Sequence, residues 1–174
     1  MHINNYTLKV GQKVLLHETE IAFEAGKINH LLGRNGSGKS QLAKDFIINR
    51  SGNIPQETTK ETLIVSSYAN LPSELTISDL KKSGIHLSKT IYDLLGIKTI
   101  NSHLKIRRLS DGQKQKVKLW VFLSLDKDFI ILDEITNALD KATISDIYDF
   151  LNQFIQDHPE KTILFISHHL SDLR

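Results

Sequence analysis

The run Gly33-Arg34-Asn35-Gly36-Ser37-Gly38-Lys39-Ser40 constrains this chain more than any other stretch. It fits G-x-x-x-x-G-K-[ST] at every fixed position and lies between an apolar run, Ile28 to Leu32, and a stretch of helical character. Glycines there let consecutive backbone N–H groups turn inward into a concave anion site, and a helix starting near Gly38 adds the positive end of its dipole. Lys39 is then placed to reach β- and γ-phosphates, and the Ser40 hydroxyl to face Mg²⁺. Such a loop needs strand, turn and helix in that order, so the fold is expected to be layered α/β.

The rest of the chain keeps that rhythm. Apolar, β-branched runs at Ile28 to Leu32, Leu63 to Val65, Phe129 to Leu132 and Thr162 to Ile166 have strand length. Several lack polar alternation, which is the mark of parallel strands covered on both faces. Between them, Ile144, Ile147, Tyr148, Leu151, Phe154 and Ile155 recur at helical spacing over Thr143 to Gln156, and Pro159 stops that helix. A second helix is predicted after Asp111, with Val117, Trp120, Val121 and Ser124 on one face and Lys114, Lys116 and Lys118 largely off it. From about Asn70 to Arg108 no strand pattern occurs, and helix-like pieces stand around Ile77 to Lys82 and Leu87 to Leu95. This stretch reads as a small helical insertion or as an ordinary set of surface helices.

Composition removes several function classes. With 174 residues the chain is long enough for a real core, and the absence of cysteine removes disulfide frameworks, thiolate metal sites and thiol nucleophiles together. A net charge of +2 is too small to announce a nucleic-acid or membrane-surface protein. The start, Met1-His2-Ile3-Asn4-Asn5, has no basic stretch followed by an apolar run. The longest apolar run, Leu119 to Leu123, is far below the roughly 20 residues of a membrane helix. If a membrane is involved, another chain is expected to cross it.

A phosphate loop needs an acidic partner at the end of a buried strand, and Phe129-Ile130-Ile131-Leu132-Asp133-Glu134 supplies one. Asp133 falls at the carboxyl end of a parallel strand, the edge where α/β sheets bind ligands. It is expected to hold Mg²⁺ through water, while Glu134 projects toward the γ-phosphate and polarises the attacking water.

The order of motifs then becomes recognisable: the phosphate loop, Leu109-Ser110-Asp111-Gly112-Gln113, the strand ending Asp133-Glu134, Asn137-Ala138-Leu139-Asp140, and Ile166-Ser167-His168-His169. The chain resembles an ABC-type ATPase, the nucleotide-binding domain of ABC transporters, over nearly its whole length; LSDGQ is similar to the family's LSGGQ signature. The resemblance implies one P-loop NTPase domain over 1–174, with a mainly parallel sheet flanked by helices. An α/β core at about 1–69 and 109–174 would carry a small helical subdomain at about 70–108. It implies ATP and Mg²⁺, held by the phosphate loop from Gly33 through Gln41, with Ser40 and Asp133 toward the metal. It further implies a head-to-tail dimer, of identical or related ATPase domains, that sandwiches two ATP. Ser110, Gly112 and Gln113 would cap the γ-phosphate bound to the opposite chain. Asp140 would belong to the loop crossing the interface, and His168 to the switch that contacts the γ-phosphate and orients Glu134.

Four departures from the family pattern stand out. The adenine-stacking aromatic is replaced by Val10, with Tyr6 the nearest aromatic. The glutamine that contacts Mg²⁺ and its water aligns with Ser66 or Ser67, Gln56 being a minor alternative. Ile135 stands where proline usually follows the catalytic glutamate, and the chain ends at Arg174, soon after the switch histidine, as a compact or a truncated member. Slow but real ATP hydrolysis follows, with Lys39, Glu134 and His168 as the catalytic set. The leading expectation is an ATPase subunit on the cytoplasmic face beneath a separate membrane permease, with export favoured. A soluble ABC ATPase acting on nucleic acid or ribosomes is the second class. Its basis is seven Lys/Arg between Lys98 and Lys118 against the single acid Asp111, although a solvated helix face is the preferred explanation and nucleic acid is not the expected partner. A nucleotide-binding regulator without turnover is the third.

Overall fold

The computed structural model describes residues 1–167. The chain divides into two compact units: Met1–Ser66 with Lys127–Glu134 and the segment from Ile155 onward, and Ser67–Asp126 with Ile135–Phe154.

Among the described residues, the first unit holds all the strands. β1 (His2–Val10) and β2 (Lys13–Ala22) form an antiparallel hairpin that the hydrophobic pattern did not announce. β3 (Ile28–Leu32), β4 (Thr62–Ser66), β5 (Phe129–Asp133) and β6 (Thr162–Ser167) form a parallel sheet in the order β3-β6-β5-β4, matching the four predicted strands. β5 and β6 are central and buried throughout, as their unbroken apolar runs require. β3 lies at an edge and is half-buried, which lets it carry Asn29 and His30. Asn29 is used structurally: its amide oxygen accepts from the Glu24 N–H at 2.9 Å, and its amide nitrogen donates to Glu24 O and Ile163 O.

α1 (Lys39–Ile48) follows the phosphate loop and α2 (Gln56–Lys60) precedes β4. Leu42, Ala43 and Phe46 bury one face of α1 among Ile3, Tyr6, Leu8, Phe129 and Ile131. Phe46 meets Phe129 at a ring-centroid distance of 4.9 Å and Phe23 at 6.0 Å. Full burial of one such ring is worth about 1.5–3 kcal/mol. Inside this core the Tyr6 hydroxyl donates 2.7 Å to Asp45 Oδ2, and the Ser51 N–H donates 2.9 Å to Asp45 Oδ1. Asp45 is therefore a satisfied buried carboxylate that ties β1 to α1.

The second unit is helical: α3 (Ile77–Lys82), α4 (Lys89–Leu94), α5 (Asp111–Leu123) and most of α6 (Lys141–Asp157). Their starts are set by side chains. Thr76 and Asp79 form a capping box on α3, the Ser88 hydroxyl caps α4, and Ser110 with Gln113 forms a second capping box on α5. Trp120 is buried, and its Nε1 donates 2.9 Å to Ser88 O. Ser124 donates to Trp120 O and accepts from the Ser88 N–H.

The predicted polar face of α5 needs one correction. Lys118 is buried, whereas Val121 is only half-buried. Buried residues at 115, 117, 118, 119, 120 and 123 run round much of the helix instead of along one stripe. The Lys118 stem is therefore covered, and that burial pulls its ammonium pKa below the ordinary lysine value.

Candidate functional site

The glycines of the phosphate loop are conformationally necessary at two points. Gly36 has φ +77°, and Gly38, the N-cap of α1, has φ +101°, both outside the range a side chain tolerates well. Gln41 and Leu42 then donate to Gly38 O and start the helix. Arg34, Asn35, Gly36 and Ser37 are exposed at the rim, while Lys39 is buried and its ammonium donates to Gly33 O at 2.6 Å and Arg34 O at 3.1 Å. The cation is thus centred on the loop, and an arriving triphosphate would exchange those carbonyls for phosphate oxygens.

The carboxyl edge of the sheet brings Ser40 and Asp133 together, the Ser40 hydroxyl donating to the Asp133 carboxylate. Asp133 is only 6% exposed, and its Oδ1 is buried without a hydrogen-bond partner among the described residues. Burial pushes its carboxyl above the usual aspartate range; the Ser40 hydrogen bond opposes this, the neighbouring Glu134 adds to it, and Lys39 and Lys44 oppose it. An orphaned buried carboxylate oxygen costs about 1–3 kcal/mol. Beside a serine hydroxyl it is an oxygen donor set that suits Mg²⁺, so the residues fit that ion. Ser66 is the register partner of Asp133 across β4 and β5 and stands at the same edge. Gln56 instead opens α2 and is exposed.

Glu134 leaves the strand with φ +54°, and its N–H donates 3.0 Å to Ile166 O. That left-handed turn directly after β5 is costly for a residue with a side chain and ends the strand there. Ile135, next in the chain, is buried.

Val10 sits at the hairpin tip paired with Lys13, where Gly11 turns with φ +60°. Beside the phosphate loop lies a cavity of about 110 Å³ lined by Leu8, Leu15, Leu16, Leu31, Leu42 and the loop, without Val10. Leu15 touches the loop directly, since a Cβ on Gly38 would lie 2.8 Å from its Cδ1. Tyr6 is turned inward to Asp45. Leu15 escaped the sequence reading, and only recognition of the Gly11-Gln12 hairpin turn would have pointed to it.

In the second unit, Ser110 Oγ accepts from the Gln113 N–H at 3.2 Å and Gln113 Oε1 accepts from the Ser110 N–H at 3.0 Å. The signature is thus also a helix start, with N–H groups and a positive dipole end presented at Gly112. Asp140 stands before α6, accepting from Thr143 N–H and Thr143 hydroxyl, bonds that hold its carboxyl below the usual range. Of the basic stripe, Lys105 and Arg107 pair with Glu74, Lys114 with Asp111, Lys116 with Asp146, and Lys118 is buried. His168 lies outside the described residues.

The family model described as ABC transporter matches residues 16–137. The chain belongs to the ABC transporter family. This ABC protein is 48% identical over 179 residues to a probable peptide export ATP-binding protein, YydI, of Bacillus subtilis (strain 168), an alignment that spans 100% of this chain and 86% of the relative. Among solved structures, cbiO1 from Clostridium perfringens, part of the ABC transporter complex cbiONQ, matches with TM-score 0.77 at 19% identity over 99% of this chain and 79% of that one. A bacterial Atm1-family ABC exporter with ATP bound matches with TM-score 0.75 at 20% identity over 98% of this chain, which spans 34% of the exporter chain. The ABC protein is an ATP-binding subunit with the ATPase activity of its family. Among its described residues no helix is long and apolar enough to cross a membrane.

Proposed function

We propose that this ABC ATPase works as one half of a head-to-tail pair, with its own copy or a related ATPase domain, that closes on two ATP and drives a separate membrane permease exporting a peptide. The observation that carries the chemistry is the Ser40–Asp133 contact with its unpartnered Oδ1, beside the phosphate loop and Glu134. The peptide-export role of the 48% identical relative supports the direction and class of cargo. The ATPase would then sit on the cytoplasmic face, held there through the permease.

Each residue has a role in this reading. The N–H groups from Gly33 to Gln41 cradle the phosphates, and Lys39 neutralises β- and γ-oxygens. Ser40 and Asp133 would hold Mg²⁺, with Ser66 beside them, and the bound ion would supply charge neutralisation of the phosphates. Glu134 aligns the attacking water and accepts its proton, and His168 orients Glu134. Leu15 offers the base aliphatic contact without a π face. The opposite copy's signature, with its Ser110, Gly112 and Gln113, caps the γ-phosphate, and Asp140 lies in the loop at the interface. Loss of the γ-phosphate removes the bridging charge, so turnover opens the pair.

Phosphate release by purified protein against Glu134→Gln tests the chemistry, and equal rates would sink the role of Glu134. Tagged Glu134→Gln protein, pulled down with ATP and Mg²⁺ from detergent-solubilised cells of its source, tests the partner. One multi-span membrane protein at near-equal amount is the expected result. Recovery of ribosomes or nucleic acid alone would favour a soluble ABC ATPase.

A further inference from the structure

We propose that Thr143 is a positioning residue that locks the Asp140 loop to the signature helix α5 and thereby sets how readily ATP closes the pair. The inference rests on the dimer reading above and deepens it.

Thr143 faces two ways. Its N–H donates 2.9 Å to Asp140 Oδ1 and its hydroxyl donates 2.7 Å to Asp140 Oδ2, so both carboxylate oxygens bond to this one residue and the loop carrying Asp140 is tied to it. Thr143 also rests on Gly112. A Cβ placed on Gly112 would lie 2.8 Å from Thr143 Oγ1 and 2.9 Å from Cγ2, distances at which something must move. Gly112 does not have a positive φ, unlike Gly36 and Gly38. The glycine is therefore there for the close approach of Thr143, not for a turn.

The same two helices meet again one turn on, where Lys116 Nζ lies 2.7 Å from Asp146 Oδ2. The α5 start is itself fixed by the Ser110–Gln113 capping box. Asp140, Thr143, Gly112 and Ser110 thus form one continuous chain of contacts, and a displacement of the Asp140 loop reaches Gly112 through a single side chain. Thr143 needs no contact with nucleotide to act. It presents two interface motifs as one preassembled surface, and without it ATP must order them at the moment of closure.

The test uses the full-length chain carrying Glu134→Gln and measures, by light scattering, the ATP concentration that gives half-maximal dimer with Mg²⁺ present. Thr143→Val keeps the shape and removes the hydroxyl; Thr143→Ser keeps the hydroxyl. Thr143→Ala, which cannot crowd Gly112, repeats the loss of the hydroxyl should the valine variant fold poorly. Binding of a fluorescent ATP analogue to dilute monomer is read in parallel. Thr143→Val and Thr143→Ala should raise the half-maximal ATP concentration about tenfold, from one lost hydrogen bond to a charged acceptor, with monomer affinity unchanged. Thr143→Ser should stay within about twofold. Valine and alanine variants that dimerise like the parent, or an equal fall in monomer affinity, overturn the inference alone. A parent that stays monomeric at saturating ATP overturns the dimer reading and the inference with it.

Discussion

Leu15 of β2 packs against Gly38, the last glycine of the phosphate loop, with its Cδ1 2.8 Å from where a Cβ would stand. Gly38→Ala therefore meets two obstacles, that contact and a φ of +101°. The backbone obstacle is the larger, because the leucine terminus can give way and the dihedral cannot. Gly38→Ala should cost about 1–3 kcal/mol and weaken ATP binding, and adding Leu15→Ala should recover little of either. Denaturant titration and nucleotide-induced shifts in Tm measure both, and full rescue by Leu15→Ala would show that the contact dominates.

Tyr6→Phe removes the donor to Asp45 Oδ2 while the Ser51 N–H continues to serve Oδ1. A buried carboxylate oxygen is left exposed to no water, so the variant should lose about 1–3 kcal/mol in equilibrium unfolding. Burial and the nearby carboxylate raise the Tyr6 phenol pKa, so it stays protonated and donating across the ordinary pH range.

Asp133 fixes a pH dependence. Its carboxyl pKa is raised in the folded state, chiefly by burial, so between the unfolded and folded values the folded chain binds more protons than the unfolded one. Stability in EDTA should fall as pH rises through that window, and Asp133→Asn should flatten the fall and melt higher than wild type at pH about 8. Stabilisation by Mg²⁺ with ATP should run the opposite way, fading as acid protonates Asp133. Calorimetry across pH, with and without Mg²⁺, checks both signs.

Gln115 is 8% exposed, and its amide nitrogen is buried without a hydrogen-bond partner among the described residues. Gln115→Met keeps the length and removes the orphaned donor, so it should raise stability by about 1 kcal/mol. A loss of stability in chemical denaturation would mean that the amide is satisfied in solution.

The parallel strands were legible because unbroken runs such as Phe129 to Leu132 admit little else, and the phosphate loop because its spacing is a mechanism in itself. The β1–β2 hairpin was not, for a local reason. The buried residues of β1 are Ile3, Tyr6 and Leu8, and the register shifts between Ile3 and Tyr6 and again between Tyr6 and Leu8, with positive φ at Asn5 and Glu18. Bulges of this kind erase the period of two on which strand recognition depends. Lys118 shows the converse limit: charge alone does not tell a solvated lysine from one whose stem is covered. Thr143 was visible only as the start of a helix, because its second contact, with Gly112, joins elements distant in the chain.

The strand order carries a consequence for how the protein is made. β6 lies between β3 and β5, so the strand that leads into the phosphate loop and the strand that ends in Asp133 have no direct pairing. On a ribosome both emerge well before β6, and neither can be brought into sheet register with the other until it arrives. Nascent chain stalled before β6 should therefore lack nucleotide binding altogether, and the appearance of that binding marks the insertion of the last described strand.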